Sequence, residues 1–150
     1  IVITHAPPIR MAVPIFHSPG FANIQYAKAA GEAAEGVIFP SGRLVVAESL
    51  PDSNPQKKVL VAYKKDYEAR FKEDVSTFGG HAYDAFLLLR RGIDQGGLDR
   101  EKVRAAVENL KGVVGTAGIF NLSPADHNGL DLDAFEMLTV KNGRFAVLGQ

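Results

Sequence analysis

Apolar residues recur along the chain at a strand-like period in some stretches and a helix-like period in others, an alternation that predicts an α/β protein. Val13, Ile15 and Phe16 form a short apolar strand over 11–16, a helical stretch follows at 19–34, and a second strand occupies 36–39. An extended segment is expected over 43–48. From Pro55 to Lys72, the residues Val59, Leu60, Tyr63, Tyr67 and Phe71 recur at helical spacing opposite Lys57, Lys58, Lys64, Lys65, Asp66 and Glu68. That is the pattern of an amphipathic surface helix, with Asn54 as its candidate cap. A third helix over 80–95 is expected to bury Ala82, Phe86, Leu88, Leu89 and Ile93 and to stop at Gly96-Gly97. Asp99 is placed to cap a fourth over 100–110, with Val103, Ala106, Val107 and Leu110 inward. Short strands punctuated by glycine follow Gly112, then a polar loop at 121–131. The segment 134–148 reads as a hairpin turning at Asn142-Gly143, because both central residues of a type I′ turn need positive φ.

The junction between the first strand and its helix, VPIFHSPGFAN at 13–23, gathers the strongest candidate binding chemistry. Ser18 is a candidate N-cap, Pro19 suits the first helical position, and Gly20 lets another group approach the backbone. The amides of Gly20 and Phe21 and the positive end of the helix dipole would face the carboxyl edge of the strand, where open α/β sheets place ligands. There His17 and Ser18 could hydrogen-bond an anionic head group, and Phe21 could wall an apolar one. The competing reading makes Ser18 a cap only, His17 an exposed strand end and Phe21 a core residue.

Further motifs follow in order: GEAAEGVIFP at 31–40, LPDSNPQK at 50–57, TFGGHAYDA at 77–85, GTAGIF at 115–120, SPADHNG at 123–129 and VKNGRF at 140–145. Taken together the series resembles the substrate-binding proteins of branched-chain amino-acid type ABC transporters, that is, the type I periplasmic binding proteins and receptor ligand-binding domains. The resemblance is to their carboxyl-terminal part and runs from about Ile9 onward. It implies part of a two-lobe, three-layer α/β/α fold with a mainly parallel sheet and a C-terminal β-hairpin, so the chain is expected to be a fragment. It also implies that 1–46 and 134–150 are second-lobe elements and 52–120 first-lobe elements. The implied function is capture of a small molecule for ABC permease subunits, in the periplasm or outside the cell, with no enzymatic activity and no cofactor. A ligand-sensing domain of a receptor or regulator with the same fold is the alternative. A fragment that splits lobes could also pair with a second copy to cover apolar faces.

Composition narrows the classes. The 46% hydrophobic content suits a packed core, and the balance of 17 basic against 17 acidic residues leaves no electrostatic footprint for nucleic acid. With no cysteine, thiolate catalysis, disulfides and cysteine zinc sites are excluded. No phosphate loop or dinucleotide fingerprint is present, which argues against a hydrolase or reductase domain.

The remaining polar clusters read better as structure than as chemistry. His81, Tyr83 and Asp84 share one helical turn but project in different directions, so capping and packing explain them, with Tyr83 the one to reach a cleft. Asp126, His127 and Asp131 match no metal-ligand spacing, and Glu32 and Glu35 merely flank a helix end. In amino-acid binders of the resembled family the ligand turn carries a carboxylate for the substrate ammonium. Here Pro19 stands at that place and no acid occurs from His17 to Asn23. An unpaired buried ammonium is costly, which favours an aromatic or aliphatic carboxylate over a free amino acid.

Overall fold

A computed structural model describes residues 2–5 and 13–149. Its helices are α1 (Val2–His5), α2 (Ile24–Ala30), α3 (Lys57–Phe71), α4 (Thr77–Gly96) and α5 (Arg100–Glu108), and its strands β1 (Ile38–Ser41), β2 (Val113–Val114), β3 (Ile119–Phe120), β4 (Glu136–Lys141) and β5 (Arg144–Val147). The α/β class and the C-terminal hairpin agree with the sequence pattern. Asn142 and Gly143 both have positive φ, as the type I′ turn requires.

The sheet differs from the mainly parallel expectation. β4 lies between β1 and β5 and pairs antiparallel with both, while β2 and β3 form a separate antiparallel pair. Parallel pairing is confined, among the described residues, to the bridge between Phe16 and Ile38. The reason is connectivity: parallel neighbours need a crossover, which the segment through α2 supplies, whereas the terminal strands are joined by a tight hairpin. The expected strand at 11–16 thus reduces to residues around Phe16, and Met11 and Ala12 lie outside the described residues. Val13 and Phe16 are exposed rather than buried.

Two further elements depart from the periodicity. The segment expected to be extended at 43–48 is a 3-10 helix, Arg43–Ser49, kinked at Val46. Its tight turns put Val45 and Val46 against one hydrophobic cluster and Leu44 and Ala47 against another. The first cluster joins Phe21, Ala27, Val37, Phe39, Leu138 and Val140, and the second joins Leu44, Leu50, Leu60 and Val75. Helix α4 is the larger correction. Its buried positions are Gly80, Asp84 and Gly92, while Phe86 is 74% exposed and Ala82, Leu89 and Ile93 are exposed as well. Small residues face the neighbouring elements because the approach is too close for anything bigger: a Cβ on Gly92 would sit 2.5 Å from a Val107 methyl carbon, and one on Gly80 2.6 Å from the Thr116 hydroxyl. The bulky apolar side of the helix is left uncovered within this chain.

Glu35 does more than flank a helix end. Its carboxylate accepts the amides of Asn142 at 2.9 Å and Gly143 at 2.6 Å, tying the hairpin tip to the strand entry more than a hundred residues earlier. Charge-assisted bonds of this kind are worth about 1.5–3 kcal/mol when buried and less in solvent. Glu35→Ala is therefore expected to cost about 1 kcal/mol in urea unfolding. An unchanged midpoint would show that the hairpin holds its own tip.

Candidate functional site

The turn after the first strand is built by a short relay of backbone bonds. The His17 amide donates to the Ile38 carbonyl at 2.8 Å, fixing the strand end beside β1. Ser18 is extended, Pro19 opens a 3-10 turn over Pro19–Phe21, and the amides of Phe21 and Ala22 donate back to Ser18 and Pro19. The chain then breaks at Ala22-Asn23 and restarts as α2, with the Asn23 side chain accepting from the Gln25 amide at 3.0 Å. The continuous helix expected over 19–34 is thus three pieces, since Gly31–Ala34 is again 3-10.

This rearranges the roles of the candidate residues. Ser18 is not the cap: its hydroxyl makes no capping bond and lies 3.5 Å from Nδ1 of His17. Asn23 takes that role because it stands directly before α2, where its side-chain oxygen reaches the Gln25 amide. His17 Nδ1 instead accepts the Ser18 amide at 2.9 Å. An accepting Nδ1 carries no proton, so the hydrogen of the neutral ring sits on Nε2 and that nitrogen is a donor. Of the two amides offered by the turn, Phe21's is spent on Ser18, while Gly20's has no backbone acceptor among the described residues.

Phe21 is buried in the core, edge-on to Phe39 at 5.1 Å, with the His17 ring tilted over it at 4.9 Å. It is at once a core residue and a wall of a cavity of about 340 Å³ lined also by Ile3, Thr4, His17, Gly20, Tyr26, Ala29 and Ala30. That volume lies in the range of small-molecule sites. Among the described residues the lining contains no carboxylate. Ile3, Thr4 and Tyr26 were not singled out from the sequence; the Asn23 cap is the signal that rephases α2 and turns Tyr26 toward the junction.

The remaining candidates lie elsewhere. Tyr83 does not line this cavity but belongs to an aromatic row on α3 and α4, with its ring 5.1 Å from Tyr63, which stacks on Tyr67 at 5.9 Å. Burial, then the neighbouring Tyr67 phenol and the Asp84 carboxylate, hold the Tyr63 hydroxyl above its ordinary pKa. Asp84 is buried and accepts the amides of Thr116 and Ala117, each at 2.7 Å, and the Thr116 hydroxyl at 3.0 Å. Asp126 is spent on the amides of Asn128 and Gly129, Asp131 caps the 3-10 turn Leu132–Ala134, and His127 pairs with Glu108 at 3.2 Å.

A larger groove, about 730 Å³, runs between α4 and α5 over Leu89, Ile93, Leu98, Val103, Val107 and Leu122. Its polar rim is largely spent on itself, with Arg104 paired to Glu108 at 2.8 Å and His127 to the same carboxylate. The smaller cavity, to which His17 and Gly20 bring donors beside the apolar wall of Phe21, is the better candidate for a polar ligand. Among the described residues no helix is long and apolar enough to cross a membrane.

Comparison with known proteins adds independent findings. A family model described as periplasmic binding protein matches residues 11–143. No curated protein matches the chain. A solved protein of Rhodopseudomonas palustris is similar at 28% identity and a TM-score of 0.90, covering 98% of this chain and 44% of that one. An extracellular ligand-binding receptor from the same species is similar at 29% identity and a TM-score of 0.90, with 98% and 44% covered. A solute-binding protein of an ABC transporter from R. palustris, solved in complex with benzoate, shares the fold at 23% identity and a TM-score of 0.75, with 98% and 38% covered. The chain spans less than half the length of these solved proteins.

Proposed function

We propose, since this chain belongs to the periplasmic binding protein family, that it forms part of the solute-binding component of an ABC-type importer and that its ligand is a small aromatic or aliphatic carboxylate. Proteins of this family bind solutes rather than transform them. The observation that carries the ligand class is the lining of the cavity beside the 17–21 turn: donors from His17 and Gly20, apolar walls from Phe21, Ala29 and Ala30, and no acid. A carboxylate needs only donors, while a zwitterion also needs a negative partner for its ammonium. Benzoate, bound by one of the fold neighbours, is accordingly the first probe.

In this reading 1–46 and 134–150 belong to one lobe and 52–120 to the other, the periplasm is the compartment, and permease subunits receive the ligand. Support for the lobes comes from the division of the core into two clusters, the first drawn from 1–46 and 134–150 and the second holding Leu60 and Val75, with Leu44 of the first range packing in the second. The ligand is held by hinge closure over a largely preformed pocket. One wall of a two-sided cleft binds weakly, so this chain alone is expected to bind benzoate with a dissociation constant on the order of millimolar. A micromolar constant would show that it holds a whole site.

Two substitutions test the turn by calorimetry with benzoate and hexanoate set against leucine and valine. His17→Ala is expected to weaken carboxylate binding by about 1–3 kcal/mol, the cost of a lost polar partner. Ser18→Ala is expected to weaken it without lowering the melting temperature, because its hydroxyl caps no helix. Unchanged affinity in both variants would remove the turn from the binding site.

A further inference from the structure

The two hydrophobic clusters meet at the 3-10 segment Arg43–Ser49, which gives Val45 and Val46 to one and Leu44 and Ala47 to the other. Arg43, whose side chain is 15% exposed, stands where the chain leaves β1. Its Nε donates to Glu136 at the start of β4 at 2.8 Å, and one terminal nitrogen donates to the Gln56 side chain at 3.0 Å and to the Asp133 carbonyl. Gln56, just before α3, carries the connection onward by donating to the carbonyls of Gly115 at 3.1 Å and Thr116 at 3.3 Å. Asp84 of α4 accepts from the same loop. One run of bonds therefore links β4, which carries Leu138 and Val140 of the first cluster, to the helices beside the second.

We infer that Arg43 is a positioning residue that sets the orientation of the two packed units by stapling the outgoing segment after β1 to the returning segment before β4. A guanidinium suits this role because its planar fork holds several acceptors in fixed directions, and a lysine ammonium does not. The Arg43–Glu136 pair joins two segments of one unit, and the bond to Gln56 reaches the other. The ion pair Lys28 with Asp74 at 2.7 Å also crosses, but both side chains are about half exposed, and water and salt compete with it. The staple rests on the two-unit packing and is independent of the ligand.

The chain has no cysteine, so nitroxide labels at Asp66→Cys on α3 and Arg144→Cys on β5 form a clean pair, both sites being exposed. Pulsed electron paramagnetic resonance is expected to give one narrow distance distribution for the labelled protein. Arg43→Met and Glu136→Gln should each widen it at least twofold, and Arg43→Lys should not restore it. Lys64→Ala removes a 2.6 Å ion pair to Glu48 on the second unit's side and should leave the width unchanged. Where Arg43→Met fails to fold by circular dichroism, Glu136→Gln and Arg43→Lys carry the test. A residue that served stability alone would lower the melting temperature at constant width. Widths matching that of Lys64→Ala would overturn the inference.

Discussion

Asp84→Ala is expected to destabilise the protein by about 4 kcal/mol, a large share of the 5–15 kcal/mol typical of a domain. The carboxylate is 2% exposed and accepts two amides and a hydroxyl from the 116–117 loop. Removing it orphans the buried donors of Thr116 and Ala117 at about 1–3 kcal/mol each. Asp84→Asn keeps the shape but turns an NH₂ toward one of the donors, so it is expected to lose at least half as much. Urea unfolding measures both. A loss below about 1 kcal/mol for the alanine variant would mean that the loop is satisfied by solvent.

The second large effect is expected at Phe39, whose ring is fully buried and stands edge-on to Phe21 at 5.1 Å and Phe145 at 5.0 Å. Phe39→Ala should cost about 3–5 kcal/mol through lost transfer free energy and an unfilled cavity, while Phe39→Leu should cost well under half of that. The consequence reaches the candidate site, because Phe21 packs on Phe39 from one side and walls the ligand cavity on the other. Carboxylate affinity should fall along with stability in Phe39→Ala. Phe39 packs in the first cluster while Asp84 bonds the 116–117 loop, with no partner shared between these contacts, so their costs should add to within about 0.5 kcal/mol. Equal losses for the leucine and alanine variants of Phe39 would show that the ring's own edge contacts, and not buried volume, carry the effect.

Local chemistry made several elements legible in the sequence. Asn142-Gly143 specified the hairpin turn because its backbone angles are ones few residues adopt, and Asp99 capped α5 through the Lys102 amide as its position before a helix suggests. The elements that were misread are those decided by distant partners. Ser18 and Asn23 are both good caps by residue type, and the break of the chain at Ala22-Asn23 decides for Asn23, which stands directly before α2. Periodicity pointed the bulky side of α4 inward, but within this chain the close neighbours are the 116–117 loop and α5, which only Gly80, Asp84 and Gly92 admit. Arg43 showed nothing in the local pattern because its acceptors at Gln56, Asp133 and Glu136 are far off in sequence.

The candidate site was legible in part for the same reason. The 17–21 turn stood out through its own proline and glycine, and His17, Gly20 and Phe21 do converge on one cavity. Tyr83 was chosen for its helix position alone and joins the Tyr63 row. Ile3 and Thr4 of α1 reach the cavity only through tertiary packing.

The most direct measurement is a two-ligand titration followed by nuclear magnetic resonance on backbone amides, which detects binding even at millimolar affinity. Benzoate should move the amide signals of Ser18, Gly20 and Phe21 in a saturable manner, leucine should leave them in place, and His17→Ala should abolish the benzoate response. Leucine shifting those amides while benzoate does not, or benzoate shifting only the α4–α5 groove around Leu89 and Val107, would contradict the account.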